Sequence, residues 1–544
     1  MSVAIDTKGI QNPASIQILD IEHVQVSRKS ITFNTAKHIP KGLHSINATQ
    51  KMRTSTAFLP SVATLALAQQ PAAWLQSVGF NSSFTLTPEQ ISAGQLDQEV
   101  ALSVENATRF DDSQLAFGGP HEDDFYTLPP LTNITGPLKA GQVLKVQAYT
   151  DPTSYVIPPT TGLSRILYTT TNINGTVVPA SAFILWPFQP RQFRDGESST
   201  ADGEGVSAPA VVWAHGTSGH FTNGAPSARR DLWYANAAPF TLAQAGYAVV
   251  APDYAGLGIS HSWDGSFIPH QYLISPAAAA DALYAMSAAQ DAFAEELSGE
   301  YVVMGHSQGG GVAWSVAELL ASQADTFADV IDGYRGAISG SPTVEALAGL
   351  PQFIVSWVSL YLADIFPGFR QEEWLTPTGI ARSQLLKDIE GCIGVSQQLF
   401  LTGEDPHKPG YEDTWYAEAY SKLANAGRKD FRGPLMVIHA TADVYNSFNV
   451  TEAAVKETWE LFPDNDLEFV VIPGIGHVPA LDATRPRWLQ WIEERFERKP
   501  VPKQGPVRTT VNSWLPLERY SKVGGSFLQW AGLPEFSYQA ILGL

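Results

Sequence analysis

The sequence predicts an α/β fold, with a mostly parallel central sheet, helices on both faces and a helical cap inserted into the sheet. Three observations predict it. Short apolar runs without polar alternation recur at 208–216, 247–254, 300–307, 334–342, 434–443 and 467–474, as in strands buried on both faces. Helical segments at 239–246, 275–293, 310–324, 450–461 and 485–496 separate most of them, which parallel pairing requires. A long stretch, 343–430, rich in Trp, Tyr, Phe and Leu, interrupts the alternation where a connection of ~2–6 residues is usual.

Taken in order, residues 1–68 read as an N-terminal extension that ends in a secretory signal. Residues 52–68 set Met52 and Arg53 before a short apolar run closing on Ala-Leu-Ala, a small-residue cleavage pattern. Met52 is then the expected start, the mature chain begins near Gln69, and the protein is secreted; with residues 1–51 retained it would be cytoplasmic. Asn81, Asn106, Asn133, Asn174 and Asn449 each open an Asn-X-Ser/Thr triplet and are glycosylation candidates. Residues 69–342 and 431–497 form the core. Within them 69–120 resists assignment, while 142–148, 165–171 and 178–186 read as strands and 191–208 as an exposed loop. The cap, 343–430, contains the apolar run 353–369, too short for a bilayer span and broken by Asp364. Residues 498–544 read as an irregular tail packed on the core.

Charge narrows the partners. Lys+Arg number 34 against 54 Asp+Glu, a net charge of −20 with no basic cluster, which repels nucleic acid and anionic membranes. The single cysteine, Cys392, excludes an internal disulfide and a cysteine-based metal cluster. No metal or organic cofactor is expected.

The chemistry centres on Gly305-His306-Ser307-Gln308-Gly309. A strand, then Gly-X-Ser-X-Gly, then a helix is a nucleophile elbow: the turn is strained, Gly305 and Gly309 leave room, and the serine hydroxyl stands clear. The bare pattern is common, so the flanking strand and helix carry the assignment. Such a serine needs a base, and the base an orienting acid. Three histidines follow Ser307. His407 lies in a Pro/Gly-rich stretch of the cap and His439 within a strand, where a buried core role is expected. His477, in "GIGHVP" after a strand, sits where a base belongs. Asp443 ends the preceding strand and is the expected acid; Asp464 and Asp466 are rivals in a turn that reads as solvated. For the oxyanion, the backbone N–H of Gln308 is one candidate donor. The second is Thr217, or Gly216, in "WAHGTSG", the alternative being a plain glycine turn with no ligand.

The set "WAHGTSG…APS", "APDYAGLG", "QYL", "GHSQGGG", the cap-sized insertion, "ATAD" and "GH" resembles the fungal secretory-lipase family, the lipase-A-like branch of the α/β-hydrolases. The resemblance covers roughly 121–495. It implies an acyl-ester hydrolase with Ser307, Asp443 and His477 as its triad and a cap that forms the acyl pocket. The chain departs from the family in lacking a cysteine after its HG motif and in the stretch "HSWDGSFIPHQYL", which contains His270. The expected activity is hydrolysis of a small-molecule or lipid ester through an acyl-enzyme, with no stable membrane anchor and at most transient contact with a lipid interface. Acyl transfer on the same scaffold and a non-catalytic binding role are the alternatives.

Overall fold

A computed structural model describes residues 83–134, 136–193, 207–348, 353–401 and 405–520. These all fall within one of the two units into which the chain divides, Leu75–Leu544. The expected signal segment and Asn81 lie outside the described residues.

The described residues build a ten-stranded sheet: β1 (Val143–Gln147), β2 (Gly162–Thr171), β3 (Val177–Trp186), β4 (Ala208–Ala214), β5 (Ala248–Pro252), β6 (Leu297–His306), β7 (Tyr334–Gly340), β8 (Leu435–Ala440), β9 (Leu467–Ile472) and β10 (Pro506–Thr510), in the order β1-β2-β3-β5-β4-β6-β7-β8-β9-β10. β1, β2, β3 and β5 pair antiparallel. A tight turn joins β2 to β3, closed by the Asn172 amide donating to the Thr176 carbonyl at 3.1 Å. From β5 through β4 to β10 every pair is parallel. Every residue of β4, β5 and β8 is buried, as the unbroken apolar runs predict.

Helices cover both faces. Ser275–Ala292 is alanine-rich, so it lies close to the helix Gln308–Ser322 and to β2. Its buried Asp281 accepts from the Thr170 hydroxyl at 2.7 Å and the Ala255 amide at 3.0 Å. Residues ahead of the sheet, which resist assignment in the sequence, form two capped helices. Pro88–Ala93 carries a Thr87–Gln90 capping box, and Gln98–Ser113 is capped by Asp97. The second buries Val100, Val104, Ala107 and Phe110 and packs against the helix Ile393–Phe400.

Between β7 and β8 the chain runs through Phe353–Ser359, Leu362–Ile365, Pro377–Asp388, Ile393–Phe400 and Trp415–Ala424. Phe369 and Trp374 are fully buried within this insertion, with Trp374 donating to the Thr414 hydroxyl at 2.9 Å. No described helix is long and apolar enough to cross a membrane. Beyond residue 497 the structure differs from the expectation of an irregular tail: Pro506–Thr510 adds a parallel edge strand to β9. Its Val-Arg-Thr-Thr is β-branched, and its alternating exposure suits an edge. Of the described sequons, Asn133, Asn174 and Asn449 are exposed, while Asn106 is half-buried in a helix.

Candidate active site

Parallel pairing puts the carboxyl ends of β4, β6, β8 and β9 on one edge, and each carries one of the expected groups. β6 ends at His306 and a helix begins at Gln308, leaving Ser307 between them at φ +61°, ψ −119°. A side chain other than glycine's is strained in that region, and strain of this kind is held only where surrounding structure insists on it. The surroundings do so here. The Ser307 amide donates to the Gly340 carbonyl at 2.9 Å. A Cβ on Gly305 would overlap the Gly309 carbonyl, and one on Gly309 would overlap the Ala214 carbonyl. The two glycines are therefore set by the close approach of β4, β6 and the helix, and that helix directs its N-terminal amides at the serine.

Asp443 lies in the turn after β8 and its side chain is fully buried. Oδ1 accepts from the amides of Tyr445 at 2.9 Å and Asn446 at 3.0 Å, and Oδ2 accepts from His477 Nδ1 at 2.6 Å. His439 Nε2 approaches the same Oδ2 at 3.3 Å. Burial disfavours the carboxylate, but the His477 charge and hydrogen bonds from His439 and His477 outweigh it, so Asp443 is held well below the usual carboxylate range. An anionic acceptor facing Nδ1 orients the ring with its Nδ1 proton toward Asp443.

His477 is also held through its backbone. His306 Nε2 donates to the His477 carbonyl at 3.1 Å, and the two rings lie 4.5 Å apart between centroids. The other nitrogen of His306, Nδ1, accepts from the Tyr234 hydroxyl at 2.7 Å. Tyr234 belongs to a run, Leu232 to Ala235, in which four successive residues have positive φ (52°, 59°, 21° and 39°). The same run grips the loop after β4. Trp233 Nε1 donates to the Gly216 carbonyl at 3.2 Å, and a Cβ on Gly216 would collide with the Tyr234 hydroxyl.

The two candidate oxyanion residues meet. Thr217 Oγ1 donates to Gln308 Oε1 at 3.2 Å and accepts from the Tyr272 hydroxyl at 2.9 Å. Gln308 Nε2 lies 3.3 Å from His270 Nε2, whose Nδ1 faces the Ala255 carbonyl at 3.2 Å. Burial, opposed by the bond to Ala255, pushes His270 down to about 3. It is therefore a neutral ring that accepts the Gln308 amide and fixes which way that amide points.

The remaining candidates lie elsewhere or take another role. Asp464 is exposed, and Asp466 accepts from the Gly505 amide at 2.8 Å near the amino end of β9. His407 is tied within the insertion to Ser356 at 3.0 Å and Asp405 at 2.8 Å. His439 is buried, as a strand residue should be, yet it also contacts Asp443. Tyr234, Tyr272 and His306 carry no local signal in the sequence, since their partners His306, Thr217 and His477 are tens of residues away. Among the described residues no cluster of His, Cys, Asp and Glu could hold a metal ion.

Comparison with known proteins agrees with this fold. The Alpha/beta hydrolase family matches residues 211–489, more than half of the chain. No curated protein sequence matches it. Among solved structures, lipase A of Candida antarctica in its closed state aligns with a TM-score of 0.54 at 17% identity, covering 72% of this chain and 90% of that one. A second structure of the same lipase gives 0.53 at 17% identity, with the same coverage. At this identity the likeness is one of fold.

Proposed function

The chain belongs to the alpha/beta hydrolase family, and we propose that within it this protein is a secreted serine ester hydrolase whose acyl-enzyme forms on Ser307. The observation that carries this reading is the short Asp443–His477 pair, 2.6 Å long, whose histidine ring lies against the residue preceding Ser307. His477 Nε2 takes the Ser307 proton as Oγ attacks the ester carbonyl. The backbone N–H groups of Gln308 and Thr217 hold the oxyanion. His477 then protonates the leaving alkoxide, and water repeats the attack to free the acid and regenerate Ser307. Asp443 keeps the imidazole in the right tautomer and stabilises its positive charge. The helices between β7 and β8 act as a cap that shields the acyl-enzyme from bulk water. Exposed Asn133, Asn174 and Asn449 and the pattern at 52–68 support secretion and glycosylation. The lipase named among the structural neighbours supports an ester as substrate.

The test pairs a fluorophosphonate probe with turnover of p-nitrophenyl esters. Wild type should label once and turn over esters. Ser307→Ala should do neither while keeping its melting temperature. Ester hydrolysis by that variant would overturn the assignment.

A further inference from the structure

Within three residues beyond Thr217, the loop after β4 buries polar atoms that find no partner among the described residues. His220 is 0% exposed, and neither of its ring nitrogens has a hydrogen-bond partner among the described residues. Ser218, 1% exposed, leaves its hydroxyl unpaired in the same way. Buried polar groups are nearly always paired, because leaving one unpaired forfeits its hydration without replacement. Two histidine nitrogens and a hydroxyl together on one short loop are therefore a feature to be accounted for.

The surroundings say what they face. The Tyr272 ring meets His220 edge-on at 4.9 Å, and the Trp357 ring lies 5.1 Å away. The Tyr361 hydroxyl donates to the His220 carbonyl. Trp357 and Tyr361 come from the insertion; Tyr272 comes from the core, and its hydroxyl also bonds Thr217 at 2.9 Å. The insertion is tied down here as well, since the Ile393 amide donates to the Ser218 carbonyl at 3.3 Å. So the unpaired His220 nitrogens lie under the insertion, among the rings of Tyr272 and Trp357, on the same loop as Thr217 and the unpaired Ser218 hydroxyl. Burial pushes His220 well below its ordinary value. The ring is neutral, with one N–H to give and one lone pair to receive. A hydroxyl can satisfy either.

We propose that His220 and Ser218 form a specificity site that recognises a hydroxyl group on an otherwise apolar ester, the aromatic box taking the apolar body. This rests on the ester-hydrolase reading above and adds the substrate class to it. A site built to bond a hydroxyl discriminates strongly against the analogue lacking it, because its own polar atoms are then left unpaired.

Matched pairs of esters test the inference. On the acyl side, p-nitrophenyl hexanoate is compared with its 2-, 3- and 6-hydroxy forms. On the alcohol side, butyl hexanoate is compared with 1,4-butanediol monohexanoate. Wild type should favour at least one hydroxylated member by about 10-fold or more in kcat/KM. His220→Phe, which keeps an aromatic ring in the box, should erase most of that preference; Ser218→Ala should reduce it and stands in if His220→Phe does not fold. The ratio within each pair cancels any change in the shared chemistry. No preference in wild type for any pair, or a ratio that survives both substitutions, overturns the inference and leaves His220 as a histidine satisfied by buried water. Fluorophosphonate labelling separates this from failure of the hydrolase reading. In a protein that does not label, binding of 6-hydroxyhexanamide against hexanamide, read by tryptophan fluorescence, still decides whether the hydroxyl is selected.

Discussion

Asp443 and His220 are both buried polar side chains near one edge of the sheet, and they are treated in opposite ways. Asp443 accepts from two backbone amides and His477, with His439 close by. His306 spends both ring nitrogens, and the Gln308 amide is engaged at both ends. Where the insertion closes on the loop after β4, by contrast, His220 leaves both ring nitrogens unspent among aromatic rings, and Ser218 leaves its hydroxyl unspent, among the described residues. A polar group whose hydrogen bonds are all made is held in place, and a buried one left without them is costly until a partner supplies them. The difference teaches that the groups of the proposed reaction are held by the sheet edge, while the choice of substrate is left to the face that the insertion covers.

The sharpest way to break this contrast is at Asp443. Asp443→Asn keeps the size of the side chain but loses the anion that holds the Nδ1 proton of His477. It should cost about 10³-fold or more in kcat, with labelling by a fluorophosphonate slowed in parallel and relative rates among esters unchanged. If Asp464→Asn costs as much and Asp443→Asn little, the network described around Asp443 is not the one that matters.

A smaller effect is expected one step further back. Tyr234→Phe keeps the ring and removes the donor to His306 Nδ1, loosening the bond from His306 to the His477 carbonyl. Tyr234 is thus a positioning residue. Its loss should lower kcat by about 10-fold, the equivalent of one hydrogen bond of about 1.4 kcal/mol, with KM and ester preference little changed. A change in ester preference without a change in kcat would place Tyr234 on the selecting side of the contrast.

The two sides were not equally legible in the sequence. Parallel strands announce themselves as apolar runs, and an elbow is local, so Ser307 and its glycines can be read from five residues together with the strand before them and the helix after them. Asp443 and His477 follow from chain order and strand ends. The supports are another matter. Tyr234 meets His306 across 72 residues, and nothing in Leu-Trp-Tyr-Ala announces four left-handed residues, since none of the four favours that region. His270 stands in a stretch unlike the family's, and only contact with Gln308 explains it. The aromatic residues of the insertion read alike in sequence. In the structure Phe369 and Trp374 pack inside it, whereas Trp357 and Tyr361 meet the His220 loop. β10 escaped because five alternating residues with a leading proline fall short of the signal that buried strands give.

The last test probes the joint between the two regions. Glu318 lies on the helix that follows Ser307, and its side chain is 6% exposed. It accepts from the Gly427 amide at 2.6 Å and from Lys429 Nζ at 3.1 Å, both where the chain returns from the insertion to the sheet. Burial raises its carboxyl to about 7, against the opposing pull of Lys429 and the Gly427 amide. The folded protein thus keeps a proton on Glu318 between its ordinary value of 4.5 and about 7, where the unfolded chain has lost it. The stability due to that protonated form is complete below 4.5 and declines as pH rises through the window to about 7. Glutamine mimics the neutral acid, retains an acceptor for Gly427 and does not titrate. Glu318→Gln should therefore gain on wild type as pH rises from 5 to 8, by a few degrees in melting temperature at most, since about 1 kcal/mol moves a large domain only ~2–4 °C. Kinetic parameters should stay unchanged, because the residue braces the joint and touches neither the serine nor the aromatic box. A difference between the two proteins that is flat across this range would mean that Glu318 is ionised in the fold and that Lys429 governs the joint.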